Sequence, residues 1–570
     1  SVFRGGCTRE AAQEVTGALT RDLMALVDRS LLQHTRAGRY EMHELLRQYA
    51  AERLTGSSRY TDVHDRHAAY YTRVLKEGYE RYERHQREAD LIQIAADIDN
   101  AQAAWDWAVA RRRVADLQRA IQGLGTFYDR SVRYREGESV CRRAAEVLEE
   151  HASAEGLRVR AVVLKWQAKF LVSLGESARA RTCYQRALAL LDHLASEGED
   201  TRCEEANALE AQVYEAIHRN LSEAENLAKR ALGLYCELDD RVGQANALIA
   251  LGFVAEIAER WQVARECYEA SAALWQAMGH EWASVATRYR LAWVELALGH
   301  LDQAERRAQE SYAFFRESKM PLFMWRTRGL LARVQMSRGQ FAAAGELLAD
   351  VLAHFQEMRD QPEARGTTHD LGFAGLHRGH YQEVEKLVRA IRAPGEKAGR
   401  REDYAESLLL EGQVSLAQRR YDSAAQYLQK SLDVHREWGR APSEVQATLG
   451  YVLLARGELD QARKHLYEAT RTVVTSEDFL GKLNLLPAAG LFLAAQGETA
   501  RAVELYALAT RYPYVANSRW FEDVAGRQIE AAAAELSPGV IAAAQARGRA
   551  RDLDETVQEL LLELCKENAD

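Results

Sequence analysis

A seven-residue turn pattern returns about every 40 residues through most of this chain, and that beat limits the folds open to it. It can be anchored on nine positions, Ala180, Ala224, Ala264, Ala304, Ala344, Val384, Ala424, Ala462 and Ala502, spaced by 44, 40, 40, 40, 40, 40, 38 and 40 residues. One supersecondary unit repeated at a fixed period cannot bury its apolar face alone, so the units stack into a solenoid. Solenoids present long concave surfaces and mostly bind other molecules.

The segment Gly299-His300-Leu301-Asp302-Gln303-Ala304 shows the unit, with counterparts starting at Gly339, Gly379, Gly457 and Gly497. Glycine supplies the open dihedral that ends one helix. The apolar residue two positions later plugs the junction of the helix pair. The alanine three further on lies where only a small side chain lets two helices approach. Seven residues before the turn stands another small residue in most units: Ala168, Gly252, Ala292, Ala332, Gly372, Gly412, Gly450 and Gly490. Glycine inside a helix costs about 1 kcal/mol relative to alanine, so its recurrence points to tight helix contact. The outlier is Gln212, whose unit also carries Arg219 at the turn; that repeat is expected to be the least regular.

This arrangement resembles the tetratricopeptide repeat (TPR). The small residue at repeat position 8, the turn and the alanine at position 20 match in phase. Position 27 is also small at Ala187, Ala231, Ser271, Ser311, Ser431, Ala469 and Ala509. Two features depart from the family: its usual period is about 34 residues, and its helix-ending proline is mostly absent here. The extra residues are expected to lengthen the helices to roughly 16–18 residues, about 25 Å each. The resemblance covers residues 158–510, with a weaker tenth unit at 114–150 around Tyr134 and Gly137. A HEAT-like or generic helical solenoid would share the period; the in-phase small residues favour TPR. The expected fold is all-α: a right-handed TPR-like α-solenoid (superhelix) of about nine to ten helix-turn-helix repeats, preceded by a small winged-helix segment.

Composition agrees. The 570 residues are 47% hydrophobic with only seven prolines, and good helix formers dominate. A net charge of −9 argues against bulk nucleic-acid binding, which needs a basic face. The seven cysteines are scattered without CxxC spacing and read as reduced core residues of a cytoplasmic protein. No apolar run of about 18 residues occurs, so no membrane span is expected. The N-terminus is not a signal peptide, lacks an initiator Met and begins within a structured-looking segment, as a piece of a longer protein would.

Residues 1–54 read helix, helix, short strand pair, helix, a winged-helix order. Leu32-Gln33-His34 and Tyr40-Glu41-Met42 flank the hairpin turn Thr35-Arg36-Ala37-Gly38. The wording resembles the end of the nucleotide-binding module of STAND-type signalling ATPases, the NB-ARC and AfsR/SARP-like bacterial regulators. Met42-His43-Glu44 resembles that family's Met-His-Asp motif, with glutamate in place of aspartate. The resemblance implies that His43 contacts bound ADP and helps lock the resting state, as a donor to phosphate oxygens. A capping role at the wing-to-helix junction is the structural alternative for His43. Asp97 to Ala108 resembles the Asp-Asn-Leu-Arg-Ala-Ala-Leu-x-Trp segment leading into repeats in these regulators. Gly548 to Val557 resembles their closing helix, which places the natural C-terminus at the end of this chain. No GxxxxGK[ST] phosphate loop occurs, so ADP or ATP is expected only in a module upstream of Ser1. The expected division is a winged-helix end at 1–54, a helical connector at 55–113, the repeats at 114–510 and capping helices at 511–570.

No catalytic constellation is found, and no metal site is expected. His64 and His67 have i, i+3 spacing but no third ligand at helical spacing, and read as a solvated helix start. In a TPR superhelix, positions 2, 5, 9 and 12 of each first helix line the concave face. They give Asn246 and Phe253 in the third repeat, Tyr289 and Trp293 in the fourth, and Arg326 and Arg333 in the fifth. His369 and Phe373 follow in the sixth, Gln413 in the seventh and Tyr451 in the eighth. Aromatic anchors beside charge-assisted donors have the makeup of a binding hot spot; burial of these aromatics between repeats is the other reading.

The resemblance implies a sensor arm. Its groove binds a protein or peptide trigger, and binding relieves autoinhibition of the upstream module, which alone brings oligomerisation. A passive TPR scaffold would bind without nucleotide dependence. A DNA-binding regulator is disfavoured, because the recognition-helix candidate sets Arg21 and Arg29 against Asp22 and Asp28.

Overall fold

The computed structural model describes residues 1–36, 38–85, 88–217, 219–358, 360–397, 401–437, 440 and 442–566; Ala37 of the expected hairpin turn lies outside them. The chain divides into two compact units, Ser1–Glu215 with Leu227–Gly243, and Ala216–Asn226 with Gln244–Asp570. The division runs through the repeat that Gln212 marks as irregular. The first helix of that repeat has 15 residues.

The first unit opens with α1 (Arg9–Thr16), α2 (Thr20–Asp28), the antiparallel pair β1 (Gln33–His34) and β2 (Tyr40–Glu41), and α3 (Glu44–Thr55). Helices α4 (Tyr60–His85), α5 (Glu88–Ala96) and α6 (Ile98–Ala110) follow. Cys7, Ala11, Ala12, Leu23 and Tyr40 share one core with Ala68, Tyr71 and Ala104, so residues 1–54 pack directly on α4 and α6. The Asp-Asn motif does the joining. Asp97 accepts from Arg39 at 2.7 Å, and the fully buried Asn100 accepts from the Arg4 N–H and donates to the Gly6 carbonyl. His67 reaches the same asparagine oxygen at 3.3 Å and is 2% exposed, and His64 stacks on Trp107. The expected solvated pair is therefore packed inside, held by partners remote in sequence. Helices α7 (Val114–Arg130) and α8 (Tyr134–Val147) form the tenth helix pair, followed by α9 (Ala154–Ser173), α10 (Ser177–Ser196), α11 (Arg202–Ala216) and α12 (Leu221–Glu237).

The second unit explains the beat. Nine consecutive 17-residue helices run from α13 (Arg241–Ile257) through α14 (Trp261–Ala277), α15 (Glu281–Ala297), α16 (Leu301–Glu317), α17 (Pro321–Ser337), α18 (Phe341–Glu357), α19 (Gln361–His377) and α20 (Tyr381–Lys397) to α21 (Arg401–Ala417). Two such helices and two three-residue turns fill one period. Where described, the middle residue of the turn is left-handed: Glu259, Gly279, Gly299, Lys319, Gly339, Gly379 and Arg419 have φ between 55° and 81°. The backbone thus repeats every 20 residues, twice as often as the residue types do.

The small positions have the predicted cause. All nine anchors from Ala180 to Ala502 are 0% exposed. A Cβ on Gly252 would stand 2.6 Å from the Tyr268 ring, and on Gly412 or Gly450 it would stand 2.5 or 2.7 Å from Leu428 or Leu466. At position 27, the Ser271 and Ser431 hydroxyls donate to the Ala245 and Ala405 carbonyls of the preceding helix.

The unit continues through α22 (Tyr421–Arg436), α23 (Ser443–Ala455), α24 (Leu459–Ser476), α25 (Phe479–Ala495) and α26 (Thr499–Ala509). Short α27 (Pro513–Ala516), α28 (Arg519–Phe521) and a π-helical turn (Glu522–Gly526) lead to α29 (Arg527–Ala533), α30 (Pro538–Ala550) and α31 (Leu553–Lys566). This unit touches itself at a regular interval. Glu259 accepts from Arg440 at 3.3 Å, Gly299 lies against Phe479, the Gly339 carbonyl accepts from Asn517, and Gly379 lies against Arg519. Successive turns of the early repeats each meet a segment far along the chain, 181 residues away at Arg440 and 178 at Asn517.

The described cysteines are all free. Cys7, Cys141 and Cys183 are buried as expected, but Cys203, Cys236 and Cys565 are exposed, because their helix faces point outward. Among the described residues no helix is long and apolar enough to cross a membrane.

Candidate ligand groove

Helices α15, α17, α19, α21, α23 and α25 pack each against the next and form the inner layer of the second unit, which α13 joins through the contacts of Arg290 with Phe253 and Glu256. The early inner helices keep their concave side chains partly open. Asn246, Phe253, Tyr289, Trp293, Arg326 and Arg333 are all half-buried. Arginines cover the aromatics: the Arg290 guanidinium lies 4.8 Å from the Phe253 ring centroid, and Arg333 lies 4.6 Å from that of Trp293.

These arginines are committed. Arg333 donates to both oxygens of Asp370, at 2.7 and 2.6 Å. Arg326 pairs with Glu363 and Arg365 with Asp403, each at 2.7 Å, and Arg290 approaches Glu256 at 3.7 Å. Burial pushes the Asp370 carboxyl above its usual range, and Arg333 opposes that shift. Arg326 and Arg333 are therefore struts between neighbouring inner helices rather than free donors. The carboxylate partners were not singled out in the sequence. A signal for them exists: opposite charges recur on successive inner helices 37 and 38 residues apart, as at Arg333 with Asp370 and Arg365 with Asp403.

The later inner helices differ from the expected exposed face. His369, Gln413 and Tyr451 are each 2% exposed, and Phe373 packs against the main core. At Gln413 and Tyr451 the cause is the segment after the last repeat. The Trp520 indole donates to the Gln413 backbone carbonyl at 3.1 Å, and its ring meets Tyr451 edge-on. His377 stacks on Phe341 and bonds to Ser518 and to the Tyr514 hydroxyl. Residues 513–526 thus cover the turn side of the inner layer, where the sequence suggested only capping helices. Tyr451 donates to the Asn484 carbonyl, which makes it a core residue.

His369 is buried with no hydrogen-bond partner at either ring nitrogen. Burial pushes its pKa down to about 4, so it is a neutral imidazole near pH 7 and not a cationic donor. His43 lies far from this layer in sequence and caps α3: its Nδ1 accepts from the Leu45 N–H at 3.4 Å. It is exposed, and Glu44 turns away to a two-point pair with Arg47. Among the described residues no group of three or more His, Cys, Asp or Glu side chains could hold a metal ion.

Residues 243–317, which contain Phe253, Tyr289 and Trp293, match the family described as tetratricopeptide repeat. No curated protein matches the sequence. Among solved structures, the chain is similar to a Rap protein complexed with Competence and Sporulation Factor. The identity is 12% and the TM-score 0.44, over 66% of this chain and 99% of that one. It is also similar to a STAND protein with a tetratricopeptide repeat sensor from Pyrococcus horikoshii, at 12% identity and TM-score 0.36, over 66% of this chain and 58% of that one. A third similar structure is NprR in complex with its cognate peptide NprX, at 15% identity and TM-score 0.36, over 51% of this chain and 82% of that one.

Proposed function

We propose that this chain is a recognition arm whose inner layer, from α13 to α19, binds an extended protein or peptide segment. One observation carries the reading. Phe253, Tyr289 and Trp293 stand half-exposed on two neighbouring inner helices, inside the stretch that matches the TPR family. Large aromatics left partly open on a concave face gain most when a partner covers them. The test is retention of peptides from a randomised pentapeptide library by the intact chain. Trp293→Ala should lower retention about tenfold, the loss of one aromatic anchor. Equal retention by the variant would remove Trp293 from the site.

The same reading extends to the N-terminal segment. We take α1, α2, the hairpin and α3 as a winged-helix end of an NB-ARC-type module, with the groove as the sensor of a STAND signalling ATPase. Support comes from the element order and from the surface beside His43. Leu45 and Tyr49 follow His43 on α3, and they and Leu19, Met24 and Leu31 are between 39% and 69% exposed, apolar side chains that a partner module would cover. Trigger binding would act on a two-state switch, and converting a 1:99 population to 99:1 takes about 5.5 kcal/mol of differential binding. The check is made on a protein that joins this chain to its ATPase module: His43→Ala should speed ADP release. An unchanged release rate would leave His43 as a helix cap alone.

A further inference from the structure

The charges of the inner layer do not balance along its length. From α13 to α21 the arginines pair off with carboxylates: Arg290 with Glu256, Arg326 with Glu363, Arg333 with Asp370 and Arg365 with Asp403. At the α23–α25 end the pattern stops. Glu444, in the first turn of α23, accepts only from the Gln413 amide, at 2.8 Å. Asp478 caps α25 by accepting from the Gly481 N–H at 3.0 Å. Glu259, the third carboxylate there, is paired with Arg440. Among the described residues no cation pairs with Glu444 or Asp478.

Two further facts show what these acids lack. Both are half-buried, so a ligand can reach them. The Gln413 amide, 98% buried, spends its N–H on Glu444 while its Oε1 has no hydrogen-bond partner. Two carboxylates, with a buried amide oxygen behind Glu444, make a site rich in acceptors. An unpaired acceptor in a buried setting is costly until a donor meets it. Burial and the nearby carboxylates raise both acids, Asp478 to about 7 although Lys482 opposes the shift there.

We propose that Glu444 and Asp478, backed by the side-chain oxygen of Gln413, form an anchor for a positively charged group of the groove's peptide ligand, an ammonium or a guanidinium. The proposal rests on the groove reading above. A guanidinium fits the donor count best, because its fork can meet a carboxylate and an amide oxygen together.

The experiment uses the intact chain and a randomised pentapeptide library in two forms, free and acetylated at the N-terminus. Peptides retained by the wild type should be enriched in Lys and Arg about fivefold or more, the scale of one charge-assisted contact. Glu444→Gln with Asp478→Asn should abolish that enrichment. Asparagine still caps a helix, and glutamine still hydrogen-bonds Gln413, so the fold should survive, as helical circular dichroism would show. Glu530→Gln with Glu535→Gln removes the same charge from exposed positions on α29 and in the turn after it, and should leave the enrichment intact. Basic enrichment that survives acetylation assigns the cation to a side chain; retention without basic enrichment that falls on acetylation in the wild type, but not in E444Q/D478N, assigns it to the terminal amine. Three results would overturn the anchor: no basic enrichment together with retention indifferent to acetylation, enrichment that survives in E444Q/D478N, or equal loss in E530Q/E535Q. Retention of no peptide by the wild type would overturn the groove reading, and the anchor with it.

Discussion

Arg333 bridges three inner helices: its guanidinium lies on the Trp293 ring of α15, and its nitrogens hold both oxygens of Asp370 on α19. Truncating it strands a buried carboxylate, which costs about 3 kcal/mol or more, whereas replacing both partners by apolar residues of similar size is often neutral. Arg333→Ala should therefore lower Tm clearly, and Arg333→Met with Asp370→Leu should recover most of the loss. Thermal melts followed by circular dichroism decide it. An Arg333→Ala protein as stable as wild type would show that the bridge contributes nothing.

Glycine-to-alanine substitutions in the inner layer should change sign with position. At Gly252 the new methyl would meet the Tyr268 ring at 2.6 Å, and overpacking of this kind costs about 1–3 kcal/mol. At Gly329, on α17, the methyl meets nothing within 4 Å, so the helix gains about 1 kcal/mol. Urea unfolding of the two single variants should place them on opposite sides of wild type.

Val132 occupies a turn with φ of 59°, a backbone region that a β-branched side chain rarely enters. Val132→Gly should stabilise the first unit by about 1 kcal/mol, less the entropy that glycine adds to the unfolded chain. Protection of α7 and α8 amides in hydrogen exchange should rise. A fall would mean that the isopropyl group, 66% exposed, makes a contact worth more than the strain.

Acid should act through His369. Its folded pKa of about 4 lies below the ordinary 6.5, so the unfolded chain takes up the proton first. The stability it contributes is complete above pH 6.5 and is lost as pH falls through 4, on the order of 3 kcal/mol in full. In His369→Leu this pH dependence should be absent between pH 7 and 4.5. Matched slopes for the two proteins would show that His369 does not titrate in this window.

Asp478 runs the other way. Its folded pKa is raised from 3.8 to about 7, so its favourable contribution is complete below 3.8 and is lost as pH rises through 7. Asp478→Asn should match wild type near pH 4 and exceed it at pH 8. Guanidinium titrations at the two pH values test the sign.

Much of this molecule could be read from the residues. The alanines at position 20 and the glycines at position 8 carry phase, because each sits where two helices touch and any larger side chain collides. What escaped is carried by backbone or by distance. Glu259, Lys319 and Arg419 adopt the same left-handed turn as the glycines, so three of the seven described turns leave no compositional trace. Partial exposure was legible from α13 to α17, where Asn246, Phe253, Tyr289, Trp293, Arg326 and Arg333 are all half-buried. That reading failed at Gln413 and Tyr451, which are correctly phased but covered by Trp520, 107 residues beyond Gln413. Nothing local marks that partner.

The contacts of Glu259, Gly299, Gly339 and Gly379 with segments far along the chain change how the second unit should unfold. An open solenoid behaves as a one-dimensional lattice, in which each repeat knows only its neighbours and the ends fray first. Here the lattice is stitched back to itself at several consecutive repeats. Loss of one repeat would shift every later stitch out of register, so this array cannot lengthen or shorten one unit at a time. It is expected to melt as a single cooperative body, with the all-or-none character of a small globular domain.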